Sequence, residues 1–237
     1  MHASRFSVPL LRAAVWSAEP LLQPNGGFLD LATGTPETGF VDPLLRRRLS
    51  PLGRGMLHCA GRVADGMGPL PSVFASRHGD VTRTMPILED LARGLPPSPT
   101  QFSMNVQNAV AGVWSIARRD PSPSIALAAG PETFGLALLE AISLHSVRPE
   151  QPVLFVYAEE PLPFPYAGFA NQELPLHAVA FLIGLPASRQ LVFTREPGGA
   201  GAMASVPQSL QILQTLHSGL SQGPWVEASG AWSWHVE

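Results

Sequence analysis

Three apolar runs of strand length punctuate the chain: LPSVFAS at 70–76, SIALAA at 124–129 and VLFVY at 153–157. Short continuous runs of this kind suit strands covered on both faces, whereas a strand with one wet face alternates apolar and polar residues. Segments of helix length separate them, so the chain reads as α/β, a mainly parallel sheet with helices on both faces. Ser50-Pro51 gives a helix start, with the serine as N-cap and the proline where its missing N–H costs nothing. From there Leu52, Met56, Cys59 or Ala60, and Val63 recur at helical spacing, and Asp65-Gly66 closes the helix. A second helix spans 80–93, stopped by Gly94 and the Pro96-Pro97-Ser98-Pro99 breaker. A third, buried one spans 132–145.

Other segments are read from the same cues. Residues 6–16 contain a strand, and the Gly/Pro/Thr-rich stretch to about Asp42 reads as loop. Residues 102–106 form a short extended run that leads into a helix at 108–119, whose small residues Ala109, Ala111, Gly112 and Ser115 suit close packing. Strands are expected at 177–183 and 190–194, a mobile loop at 198–204 and an amphipathic helix at 206–217. The tail 231–236 alternates like an edge strand, with Trp232 and Trp234 on one face. No internal repeat appears, and residues 1–237 read as one domain, less regular from about 197.

Charged residues make up 14% of the chain and apolar residues 45%, against about 25% charged in ordinary soluble domains. Few charges are left to cover the outside, which points to a surface buried against a partner. The net charge of -3 gives no basic footprint for nucleic acid. Lysine is absent and all 15 basic residues are arginine, a bias that a GC-rich genome explains. One cysteine, Cys59, excludes an internal disulfide and a cysteine-based metal cluster. The N-terminus lacks a long apolar signal segment, and no stretch approaches the roughly 20 apolar residues of a membrane span. A cytoplasmic location is expected.

Most catalytic patterns fail on context. Gly219-Leu220-Ser221-Gln222-Gly223 matches a nucleophile elbow in letters, but a helix precedes it where a strand is required. Gly198-Gly199-Ala200-Gly201 lacks the lysine and hydroxyl of a phosphate loop. Cys59 falls mid-helix on an apolar face, a core position and not an activated one. The seven histidines show no metal-ligand spacing, and Arg46-Arg47-Arg48 reads as a solvated loop or helix end. Glu159-Glu160 leaves a core strand. Neighbours on an extended chain point opposite ways, so the two form no facing acid–base pair.

The stretch 73–141 contains VFASRHGDVTRTMPILEDLA, SPTQFSMNVQNAVAGVWSIAR and SIALAAGPETFGLALLEA. These segments resemble the N-terminal half of β-ketoacyl synthases of the thiolase fold. They are more similar still to the short ketosynthase-like proteins of bacterial aryl-polyene and xanthomonadin-type pigment pathways. Arg46-Arg47-Arg48-Leu49-Ser50 and the tryptophan-containing tail fit that group, and the resemblance thins beyond 195. It implies a thiolase-like fold in which full-length enzymes carry a cysteine where a strand meets a buried helix, its thiolate favoured by the helix dipole. Here the junction is Asn105-Val106-Gln107-Asn108-Ala109, and Gln107 or Asn108 takes the cysteine's place. Gln107 is preferred, because chain-length factors of type II polyketide systems also carry glutamine there. Nothing resembles the C-terminal half that supplies two catalytic histidines.

The resemblance therefore implies a non-catalytic, chain-length-factor-like subunit. It would form a heterodimer with a full-length β-ketoacyl synthase through the helix after Gln107. Together they would shape a tunnel for an acyl or malonyl thioester chain on acyl carrier protein. Interface or tunnel candidates are Phe102, Met104, Gln107, Asn108, Val110 and Trp114. Carrier-protein docking candidates are Arg46, Arg47, Arg48, Arg118 and Arg119. No cofactor and no metal are implied. The alternatives are a free-standing acyl-thioester transferase or hydrolase, centred on Ser103, Cys59 or a histidine, and a scaffold that docks carrier protein.

Overall fold

The computed structural model describes residues 4–23, 27–170, 175–187, 189–197, 206–218, 222–227 and 230–237. The glycine-rich run at 198–204 and residues 219–221 of the elbow-like pattern lie outside these.

Strands and helices alternate as the apolar runs predict. In order they are β1 (Ser4–Ser17), β2 (Leu29–Thr33), α1 (Pro43–Arg48), α2 (Pro51–Val63), β3 (Ser72–Ala75), α3 (Val81–Ala92), α4 (Pro99–Phe102) and α5 (Ala109–Arg118). There follow β4 (Ser124–Leu127), α6 (Thr133–Val147), β5 (Val153–Glu159), β6 (His177–Ile183), β7 (Arg189–Pro197), α7 (Gln208–Ser218), β8 (Gln222–Glu227) and β9 (Gly230–Val236). Among the described residues they build one sheet in the order β4-β3-β5-β6-β1-β7-β9-β8, with β2 on β1.

Both faces of the sheet are covered. Along β5, Val153, Phe155 and Tyr157 join the core under α6 and α7, while Leu154, Val156 and Ala158 join the core under α2 and α5. That double burial is why VLFVY is continuous and not alternating. The helix starts follow their sequence signals: Ser50 Oγ accepts from Gly53 N at 3.0 Å. At Gly55 a Cβ would meet the Trp16 ring at 2.5 Å, so α2 can lie this close to β1 only without a side chain there.

Four expectations need correction. The sheet is mixed: β1·β2, β3·β4 and β3·β5 are parallel, and β1·β6, β1·β7, β5·β6, β7·β9 and β8·β9 are antiparallel. The parallel neighbours β3, β4 and β5 are joined through helices, as parallel strands require a crossover. SIALAA is an edge strand, half-exposed and not buried. The stretch before Asp42 contains β2, which gains order by pairing with Ala13–Ser17 of β1.

The described residues of the last third include β7, α7, β8 and β9. Trp232 and Trp234 do share one buried face, but β9 lies inside the sheet and β8 forms its edge. Buried polar contacts tie this part in. Trp234 Nε1 donates to Thr215 Oγ1 at 3.0 Å, and Gly135 N in the first turn of α6 donates to Gln208 Oε1 at 3.0 Å. No described helix is long and apolar enough to cross a membrane.

Candidate functional site

The approach to Gln107 is not a strand. Ser98 Oγ accepts from Gln101 N at 3.5 Å ahead of Pro99, so the Ser-Pro pair that reads as a breaker starts α4 instead. Turns follow: Ser103 N donates to Pro99 O at 3.0 Å, Asn105 N to Phe102 O at 3.0 Å and Ala109 N to Val106 O at 2.9 Å. The expected extended run at 102–106 is therefore helix and turn, and the junction runs helix–turn–helix. Asn108 is the N-cap of α5 but makes no side-chain capping bond. Gln107 stands exposed just before it.

A cavity of about 120 Å³ opens beside Gln107. Leu52 and Met56 of α2, Phe74 of β3, and Met104, Val106 and Val110 from the α4–α5 region make its apolar lining. Ser76, His78, Asp80, Thr84 and Asn105 make the polar side. Burial and the neighbouring Arg77 lower the pKa of His78 from the ordinary histidine value, so its ring is neutral near pH 7. Asn105 donates through Nδ2 to Arg83 O at 3.3 Å, and its buried Oδ1 has no partner. Amides and a neutral imidazole can orient a carbonyl group. Among the described residues, no cysteine lines this cavity.

The other candidate nucleophiles lie apart from it. Cys59 is fully buried, its Sγ donates to Ala178 O at 3.4 Å, and burial pushes its pKa well up, the opposite of an activated thiol. Ser103 Oγ donates to Thr100 O at 2.9 Å. A serine–histidine pair that sequence reading misses joins β6 to α7. His177 Nδ1 donates to Pro175 O at 2.8 Å, which leaves Nε2 to accept from Ser209 Oγ at 3.0 Å. Burial pushes the His177 pKa down to about 4, and both residues are sealed, at 0% and 1% exposed. The pair links β6 to α7 inside the core.

The interface candidates divide. Phe102, Gln107 and Asn108 are exposed; so are Val106, Gly112 and Ile116, which sequence reading does not single out, the last two four residues apart on the outer face of α5. Met104 and Val110 are half-buried against the cavity. Trp114 is corrected: it is 2% exposed and packs edge-on to Phe40 at 5.8 Å, so it belongs to the core.

The arginines divide too. Arg46, Arg47 and Arg48 occupy the last turn of α1, whose carbonyls also accept from Arg54 Nη2 (to Arg46 O, 3.2 Å) and Arg83 Nη1 (to Arg48 O). Arg118 is committed elsewhere. It donates to Met67 O at 2.7 Å and lies over the Trp114 ring at 5.4 Å, while Arg119 ends α5 in the left-handed conformation. The two groups flank opposite ends of α2, about 20 Å apart at 1.5 Å per residue, and form no single patch.

The family described as "Beta-ketoacyl synthase, N-terminal domain" matches residues 15–235. No curated protein matches. Among solved structures, a chain from the complex of the ketosynthase ApeO with its chain length factor ApeC, from Xenorhabdus doucetiae, superposes with a TM-score of 0.73 at 28% identity. The match covers 85% of this chain and 83% of that one, so the two are nearly equal in length. Weaker likenesses include PksG, an HMG-CoA synthase from Bacillus subtilis (TM-score 0.41, 12% identity, 91% of this chain and 50% of that one). Another is a 3-oxoacyl-(acyl-carrier protein) synthase from Burkholderia xenovorans LB400 (TM-score 0.39, 11% identity, 90% and 62%).

Proposed function

The chain belongs to the family of β-ketoacyl synthase N-terminal domains, and we propose from that premise that it is the non-catalytic, chain-length-factor-like partner of a β-ketoacyl synthase. The observation that carries this is the head of α5. A cavity lies there with Gln107 in its lining and Asn108 next in the chain, and no cysteine lines it among the described residues. An amide neither ionises nor forms a thioester at neutral pH, yet it can hold a carbonyl. The likeness to a chain of the same length in a ketosynthase–chain length factor complex supports the same reading.

The partner surface would be the outer face of α4 and α5 with the free edge of β4. Phe102, Val106 and Ile116 are exposed there, and α5 lies over β3 and β4. Among the described residues β4 pairs on one side only, and such an edge is open to a second chain. The cavity would then form part of a tunnel for the acyl chain of a polyene or fatty-acid-like product in a type II polyketide pathway.

Co-expression with a β-ketoacyl synthase of the same host, followed by size-exclusion chromatography and an elongation assay, tests the proposal. The expected outcome is a heterodimer active only as the pair, with a mechanism-based acyl probe labelling the synthase alone. A covalent adduct on this chain, or indifference to every such synthase, would sink it.

One observation favours an added role in docking carrier protein. Among the described residues no ion pair engages Arg46, Arg47 or Arg48, and carrier proteins are acidic. Affinity should fall as salt rises, and an affinity flat from low to high salt would exclude that role.

A further inference from the structure

Glu159 ends β5 and Glu160 follows it, and both are buried, at 1% and 7% exposed. Buried carboxylates must find donors. Each finds a donor on one loop: Glu159 Oε1 accepts from Arg77 N, and Glu160 Oε1 accepts from Thr82 N at 3.0 Å, while Tyr157 also hydrogen-bonds Glu159. Thr82 is the second residue of α3. Asp80, the N-cap of that helix, makes no side-chain capping bond. Glu160 therefore supplies, from the residue after β5, the acceptor that the helix start lacks.

Between the two tethers lie His78, Gly79 and Asp80, which wall the cavity beside Gln107. Other contacts are local or lie further along α3: Gly79 N donates to Ser76 Oγ at 3.0 Å, Thr84 Oγ1 donates to Asp80 O at 2.8 Å, and Arg83 is held by Arg48 O and Asn105. Ile87 is the one buried residue of α3.

We propose that Glu159 and Glu160 are positioning residues, a double latch that fixes the polar wall of the cavity and so sets how far an acyl chain enters it. The proposal rests on the reading of the cavity as part of an acyl tunnel.

Amide hydrogen exchange over residues 76–84, and the lengths of products made by the protein co-purified with its synthase, test it together. Glu160→Ala should speed exchange at Thr82 roughly tenfold or more and shift products toward longer chains. Glu160→Gln keeps an acceptor oxygen and should restore both. Glu159→Ala and Glu159→Gln should follow the same pattern at Arg77. Should Glu159→Ala fail to fold, the Glu160 pair and Glu159→Gln decide the matter.

Unchanged exchange over 76–84 in Glu160→Ala overturns the latch. Faster exchange with wild-type product lengths overturns its control of the cavity. If the wild-type pair makes no product, the tunnel reading fails, and the exchange comparison still judges whether the latch holds the wall.

Discussion

At the scale of single residues, burial sets charge. Removal from water pushes the Glu159 pKa up to about 7, with Glu160 raising it further, while Arg77 and Tyr157 pull it down. The stabilisation from its protonated form is complete below the unfolded value near 4.5 and is lost as pH rises through about 7. His177 behaves oppositely. Its folded pKa of about 4 lies below the ordinary histidine value of 6.5, so its contribution is complete above 6.5 and is lost as pH falls toward 4. The two slopes oppose each other between about 4.5 and 6.5. Glu159→Gln removes one of them, so the urea midpoint of that variant should fall between pH 6.5 and 4 more steeply than wild type. Equal pH profiles for the two proteins would contradict this assignment. The spacing of Glu159 and Glu160 reads as two side chains pointing opposite ways, whereas both turn to the same loop and Glu160 raises the pKa of Glu159. That spacing gives no hint that both reach back to a loop about 80 residues earlier.

At the scale of elements, two glycines in helices separate packing from propensity. Gly55→Ala should destabilise the protein by about 1–3 kcal/mol, the usual cost of overpacking, because the added carbon meets the Trp16 ring. At Gly112 in α5, an added methyl group would have no neighbour within 4 Å. Gly112→Ala should therefore stabilise the free chain by about 0.5–1 kcal/mol through helix propensity alone. If α5 packs on a synthase, the same change should weaken the complex. Thermal melts of the free chain and pull-down with the synthase read the two effects separately. The starts of α2 and α3 are legible in the sequence because Ser50-Pro51 and Asp80 are local signals. The start of α4 carries the same Ser-Pro signal at Ser98-Pro99. There the surrounding prolines mask it by reading as a breaker, and the apolar letters of 102–106 mimic a strand.

At the scale of the molecule, the exposed apolar face of α4 and α5 predicts a partner more than it predicts stability. Phe102 is 58% exposed, so Phe102→Asp should leave the melting temperature of the free chain within about 1 °C, as expected for a surface change. The same change should abolish co-elution with the synthase. Retained co-elution would move the interface elsewhere. The sequence by itself determined the α/β class, most helix and strand positions, the absence of a thiol at the head of α5 and the core role of Cys59. Each of these depends on periodicity or residue identity within a few neighbours. Only the tertiary structure decided that the later strands run antiparallel, that Trp114 is core, and that Arg46–Arg48 and Arg118–Arg119 lie apart. It alone sealed His177 with Ser209 and turned Glu160 into the cap of α3. Those outcomes depend on contacts between residues far apart in the chain, and a local pattern carries no record of which distant group will arrive to satisfy a buried charge or an open edge.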